Sequence, residues 1–198
     1  MTSTDRRRFL TNTLSAAALG SAGLANTARA QSNHNYGIEG QIAPELKVPY
    51  WIDAQGEQTE FNLKEQRGKF VFIKCWQAWC PGCHSRGFPT LQEITHAFLD
   101  EPLVETLAIQ TTFEGFGSNT QDKVREMQLR YDLPILMGHD DGQLNAHHRP
   151  NTMMDYRTGG TPWLVLIAPD GSVIFNDYHL NTDQAIQYLK GQVAALKA

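Results

Sequence analysis

Cysteine is scarce in this chain: Cys75, Cys80 and Cys83 are the only three among 198 residues, and all fall in one short stretch. Two cysteines three positions apart cannot staple distant elements, so a disulfide framework is excluded and catalysis or metal binding remains. No uninterrupted apolar run reaches the ~18 residues of a membrane span, which excludes a multi-span membrane protein. Low-complexity tracts and internal repeats are also missing, which leaves one ordinary folding domain as the expectation. A basic excess is absent as well: 17 Lys and Arg face 21 Asp and Glu, a formal net charge of −4, which argues against a nucleic-acid partner.

The N-terminus reads as an address. Arg6, Arg7 and Arg8 precede Phe9 and Leu10, a weakly apolar Ala/Gly/Ser/Leu run follows, and Ala28-Arg29-Ala30 fits a small-x-small cleavage site. Arg6-Arg7-x-Phe9-Leu10 resembles a twin-arginine export signal, with Asp5 where that signal usually has Ser or Thr. The expected organisation is therefore a signal peptide over 1–30, a flexible lead over 31–39 and one domain over 40–198. Cleavage near Gln31 would remove arginines 6, 7, 8 and 29 and only Asp5 among the acids, leaving an acidic periplasmic protein with no stable membrane span.

The rest of the chain is organised around Phe70 to Leu91, FVFIKCWQAWCPGCHSRGFPTL. The run Phe70-Val-Phe-Ile73 predicts a strand covered on both faces. Cys80 and Cys83 then stand where a helix begins, with Pro81 at an early position where its missing N–H costs nothing. The unpaired N–H groups of a first turn favour an anion, so Cys80 is expected to ionise more readily than a free cysteine. A thiolate beside a second thiol attacks disulfides and is then displaced by its neighbour.

These residues resemble the thioredoxin superfamily, and the export signal and chain length resemble its TlpA/ResA-like periplasmic branch, from about Gly40 onward. The resemblance implies an α/β thioredoxin-like fold: a central mixed β-sheet flanked by helices, with an N-terminal β-hairpin extension. It implies a thiol–disulfide oxidoreductase, more a reductase than an oxidase, with Cys80 as nucleophile and Cys83 as resolving thiol. Its partners would be protein thiols and disulfides and an upstream thiol protein that donates or accepts electrons; no organic cofactor and no metal are implied. In that family a cis-proline faces the two thiols, and Thr161-Pro162 stands at the corresponding place. Thr161, Pro162 and Trp163 are expected to line a docking groove, with Trp76, Trp79 and Phe88 as its apolar rim.

Around this centre, Tyr50–Asp53 and Thr59–Leu63 predict a hairpin. Leu103–Gln110, Leu133–Met137, Trp163–Ile167 and Ser172–Phe175 predict strands. Helices are expected after Cys83, after an N-cap at Asn119, and over the last residues from Asn181 or Thr182. In the family a proline follows the second cysteine by five residues; here Pro89 follows by six, with Gly87 in between, so a bulge is expected in the first turns.

Lys74 lies six before Cys80, where thioredoxins proper carry a buried acid, and a lysine in an apolar strand must snorkel, pair or lose its proton. Glu114 is near where the ResA-like branch has an acid, so Lys74 and Glu114 are expected to approach each other beneath Cys83 and, as catalytic residues, to assist its deprotonation. Cys75 reads as a buried small hydrophobe. Four alternatives accompany the main reading, one of them a non-catalytic thioredoxin-like docking module in a periplasmic complex. Cys80 to His84 also fits the haem c motif CxxCH. His139, His147, His148, Met153 and Met154 suggest a copper-binding chaperone. A peroxiredoxin-like antioxidant is disfavoured by Gln77, where that pattern puts Thr.

Overall fold

The computed structural model describes residues 36–142 and 149–198. His34–Ala198 form one compact unit; the expected signal peptide, His147 and His148 lie outside the described residues.

The central strand β3 (Phe70–Trp76) is buried at every position. Alternation sends Phe70, Phe72 and Trp76 into one apolar cluster and Val71, Ile73 and Cys75 into another on the opposite face. On one side β3 pairs parallel with β4 (Val104–Thr112), and on the other antiparallel with β6 (Trp163–Ile167). The other strands are β1 (Tyr50–Ile52), β2 (Gln58–Thr59), β5 (Leu136–Asp141) and β7 (Val173–Asp177). They complete a seven-stranded mixed sheet in the order β2-β1-β5-β4-β3-β6-β7. The expected hairpin extension is β1–β2, turned by Asp53, whose carboxylate accepts the N–H groups of Gln55 and Glu57, each at 2.9 Å. Its second strand is two residues long, because Leu63–Gln66 winds into a 3-10 turn that buries Leu63.

Helices α1 (Phe88–Ala97), α2 (Asp122–Arg130) and α4 (Thr182–Leu196) give Leu91, Ile94, Val124, Leu189 and Val193 to the first cluster. The other face is covered by Ile38, Leu46, Val48, Leu63 and Tyr156, the last just past α3 (Asn151–Asp155). The lead expected to be loose is packed over its described part. Ile38 is buried, Gly37 N–H donates to the Arg157 carbonyl at 2.9 Å, and Glu39 accepts the Asn176 N–H at 3.1 Å.

β5 begins at Leu136 rather than Leu133, since Pro134 has no N–H for a ladder. It runs on to Asp141, because Asp140 turns its carboxylate onto the N–H groups of Asn151 and Thr152 at the start of α3, at 3.2 and 2.7 Å. Asn181 caps α4 as expected, accepting the Gln184 N–H at 3.0 Å. Pro89 does not kink a helix: it sits in the first turn of α1, directly after a π turn over Cys83–Gly87 in which the Phe88 N–H reaches back to the Cys83 carbonyl. That turn absorbs the extra residue as the expected bulge.

Candidate active site

β3 ends at Trp76, and the chain then turns through Gln77–Trp79 into helical conformation from Pro81. Cys80 is thus the last residue before the helix. The Cys83 N–H points at the Cys80 sulfur from 3.2 Å, one of the free first-turn donors expected there. The two sulfurs lie 2.6 Å apart and both thiols are free. From across the site the Thr161 carbonyl accepts from the Cys80 thiol at 3.4 Å.

These contacts set the two thiols apart. Cys80 is pulled down to about 5. The Cys83 thiol's hydrogen bond is the largest cause, opposed by burial and assisted by the Thr161 side chain, the Cys83 N–H and the charge of Lys74. Cys83 is pushed the other way, because its proton is held toward Cys80 and because it is buried. One thiol is therefore a ready anion and its neighbour a reluctant one, as an ordered nucleophile and resolver require. Cys80 is nearly as covered as Cys83, at 5 % exposure against 0 %.

Thr161-Pro162 is cis, and both residues are half-buried. A Cβ on Gly82 would come within 3.1 Å of Pro162 Cδ, so the proline rests on the turn between the cysteines. Trp79 is exposed beside them. Two expected groove residues are elsewhere. Trp163 is buried and donates its indole N–H to Asn176, as the first residue of β6 facing the second cluster. Phe88 is wholly buried, stacked on Tyr131 with ring centroids 4.2 Å apart and edge-on to Trp76, itself buried; the π turn rotates it inward. Of the expected rim only Trp79 remains.

The expected approach of Lys74 and Glu114 does not occur. Glu114 is exposed, and its backbone carbonyl, rather than its carboxylate, is used, accepting from Asn119 at 2.9 Å. Lys74 is fully buried with no hydrogen-bond partner at Nζ, which lies 5.9 Å from the centre of the Phe88 ring. Cys75 is buried and free, its thiol pushed up to about 12 by burial, so it packs as a small hydrophobe.

Two residues hold the site without having been singled out as part of it. Asn119, expected to cap α2, is buried instead, and its side chain accepts the Ala78 N–H at 2.7 Å; α2 begins only at Asp122. His84 sits between the Ala78 carbonyl, 2.6 Å from Nε2, and the Tyr131 hydroxyl, 2.7 Å from Nδ1. Both ring nitrogens are occupied, so neither is free to ligate a haem iron. The only sequence signal for His84 was its place after Cys83; nothing local joins it to Tyr131.

Among the described residues no group of three or more His, Cys, Asp or Glu is placed to hold a metal ion. His139 is buried with Nδ1 2.7 Å from the Gln110 amide oxygen, and Asp140 serves α3. No helix among the described residues is long and apolar enough to cross a membrane.

The AhpC/TSA family profile matches residues 40–175. The thiol-disulfide oxidoreductase ResA of Bacillus cereus is 27 % identical over 135 residues, 68 % of this chain and 66 % of that protein, just under two thirds of its length. The thioredoxin-like protein YneN of Bacillus subtilis is 26 % identical, covering 79 % of this chain and 81 % of its own. Among solved structures, a thioredoxin-like superfamily protein superposes with a TM-score of 0.66 at 29 % identity, over 78 % of this chain and 95 % of its own. A thiol-disulfide isomerase from Corynebacterium glutamicum superposes with a TM-score of 0.60 at 22 % identity, over 79 % of this chain and 94 % of its own. The fold is thioredoxin-like, as the motif implied.

Proposed function

The chain belongs to the AhpC/TSA family, and from that premise we propose that it is an exported thiol–disulfide oxidoreductase, with Cys80 the nucleophile and Cys83 the resolving thiol. One observation carries this reading: a thiol pulled down to about 5 stands at a helix start, 2.6 Å from a second thiol that is pushed up. The Cys80 thiolate attacks a client disulfide, the client's first sulfur leaves, and a mixed disulfide forms. Cys83 then displaces the second client sulfur and closes the Cys80–Cys83 bond. Thr161 and Pro162 lie where an extended client strand would be held, and exposed Trp79 offers it an apolar edge. The similarity to the thiol-disulfide oxidoreductase ResA supports the same activity.

The test is reduction of insulin disulfides by the purified chain, with Cys80→Ala as control; equal rates for the two overturn the proposal. Direction is read from the reduction potential of the Cys80/Cys83 couple. A value near about −270 mV marks the proposed reductase, and one near about −120 mV an oxidant. Electrons would come from another thiol protein. Export by the twin-arginine route rests on Arg6-Arg7 and Ala28-Arg29-Ala30 in the sequence. Its test is cell fractionation with N-terminal sequencing: a periplasmic chain beginning near Gln31 supports it, and an uncleaved cytoplasmic chain overturns it.

A further inference from the structure

We propose that the cavity between Tyr50, His139 and the loop after β4 is a client subsite, which takes an arginine side chain a few residues away from the client cysteine that Cys80 attacks. This rests on the exchange reading above and adds to it a chemical requirement on the client.

The cavity has a volume of about 560 Å³, within the range of about 300–1,000 Å³ usual for ligand sites. It lies where the parallel strands β3, β4 and β5 end, the same end of the sheet from which the thiol turn leaves. One row of paired residues crosses the sheet there: Trp76, Gln110, His139 and Tyr50. With strands about 4.8 Å apart, His139 stands about 10 Å from Trp76, the last residue of β3.

The site is fixed from behind. Gln110 is fully buried, and its amide oxygen accepts from His139 Nδ1 at 2.7 Å. With its proton on Nδ1, the ring keeps a lone pair at Nε2. His139 lines the cavity, is only 7 % exposed, and makes no other hydrogen bond to a described residue. Burial lowers its pKa from 6.5, against the charge of Asp141, so the ring is a neutral acceptor near pH 7.

Asp141 lines the same cavity, and among the described residues no lysine or arginine does. A carboxylate and an acceptor nitrogen without a cation suit a positively charged donor. The half-buried rings of Tyr50 and Phe116 complete the choice. A guanidinium donates in one plane and stacks on aromatic faces, which a compact ammonium does less well.

The cavity and the thiol turn share a wall. Asn119 lines the cavity and also accepts the N–H of Ala78, two residues before Cys80, at 2.7 Å. Gly115, next to Phe116, lies against the exposed Trp79: a Cβ on it would come within 3.0 Å of the indole nitrogen. A client resting on Trp79 is thereby led from Cys80 to the cavity. An extended chain covers about 10 Å in three residues, which sets the spacing between the client's cysteine and its arginine.

The experiment uses the reduced full-length protein and short peptides whose single cysteine is capped as a mixed disulfide with thionitrobenzoate. Cys80 attacks the peptide sulfur, and thionitrobenzoate leaves with the electron pair and is read by its absorbance. The peptides carry arginine, its neutral isostere citrulline, or glutamate, about three residues to either side of the cysteine. At low salt, arginine is expected to raise kcat/KM about tenfold over citrulline, the low end for hydrogen bonds to a charged group. Added salt is expected to shrink that ratio.

His139→Phe keeps a ring but loses the lone pair, and is expected to bring the ratio down toward one. Thr120→Lys places a cation at an exposed position of the cavity lining and is expected to reverse the order, glutamate over arginine; it decides alone should His139→Phe fail to fold. Equal rates for arginine and citrulline peptides in the wild type overturn the proposal, and so does an arginine preference that survives Thr120→Lys. A wild type that releases no thionitrobenzoate from any peptide would instead overturn the exchange reading. The subsite is then judged by nuclear magnetic resonance of isotope-labelled histidine. The His139 Nε2 signal is expected to move with an arginine peptide carrying serine for cysteine and not with its citrulline counterpart, and a signal unmoved by both overturns the proposal.

Discussion

Asn119 accepts the backbone N–H of Ala78 through its side-chain oxygen at 2.7 Å, while its amide group donates to the carbonyls of Glu114 and Gly115 at 2.9 and 3.2 Å. One buried side chain thereby ties the loop after β4 to the turn that carries Cys80. Asn119→Ala removes all three bonds and takes from the half-buried Ala78 N–H this acceptor, and a polar group left unmatched in the interior costs about 1–3 kcal/mol. The expected outcome is a lowered urea midpoint with an unchanged m-value, together with loss of the sharp Cys80 titration. An unshifted midpoint would mean that the turn holds without the tie.

Cys80 should react with iodoacetamide at a rate that is half-maximal near pH 5 and flat above pH 6, since its thiol is pulled down to about 5. The largest cause is the Cys83 thiol's hydrogen bond, so Cys83→Ala should move the midpoint up toward the ordinary cysteine value of about 8.5. The same shift has a sign in stability. Between about 5 and the ordinary value, the unfolded chain binds a proton at Cys80 that the folded chain does not, so folding stability of the dithiol form rises with pH across that window. The contribution is lost as pH falls through the folded value. Oxidation to the disulfide removes the titrating group and should flatten the curve, which paired urea titrations of the reduced and oxidised forms would reveal.

Gly87→Ala puts a methyl group 2.0 Å from the position of Lys74 Nζ, so the lysine or the turn must shift. Overpacking of this kind costs about 1–3 kcal/mol. In a Lys74→Ala background the clash with the amine is gone, and the alanine methyl enters space the lysine has left. The two changes should therefore be non-additive, with a coupling of about 0.5 kcal/mol or more in a double-mutant cycle. Strict additivity would show that Gly87 is required for its backbone alone.

The parts of the fold that the sequence made legible are those whose signal is local. An apolar run followed by Cys80-Pro-Gly-Cys83 announces β3 and the turn after it, and the offset of Pro89 announces the bulge that Gly87 fills. Positions decided by three-dimensional packing were read wrongly. Phe88 is apolar and close to the thiols, which suits a rim as well as a core; the π turn alone decides for the core. Trp163 follows Pro162 in sequence but opens β6 with its ring on the far face. Asn119 carries the signature of a helix cap, yet a distant N–H at Ala78 competes for it and wins. The pairing expected of Lys74 and Glu114 followed from the family resemblance and from their opposite charges. The chain places Glu114 in solvent and leaves the lysine among thiols and an aromatic ring.

Phe88 and Trp79 should separate stability from client recognition. Phe88 is stacked on Tyr131 and has Trp76 at its edge, with His84 and the Lys74 amine close to the same ring. Truncating a buried phenylalanine costs about 3–5 kcal/mol, so Phe88→Ala should lower stability by that order and loosen the turn carrying Cys83. Trp79 has 47 % of its surface exposed, and the loss of an exposed side chain falls within about 0.5 kcal/mol. Trp79→Ala should therefore keep the urea midpoint while raising KM for insulin, because what it loses is contact area with the client rather than packing of the fold. A fall in the urea midpoint of Trp79→Ala comparable to that of Phe88→Ala would place Trp79 in the core's energetics, and an unchanged KM would remove it from the docking edge.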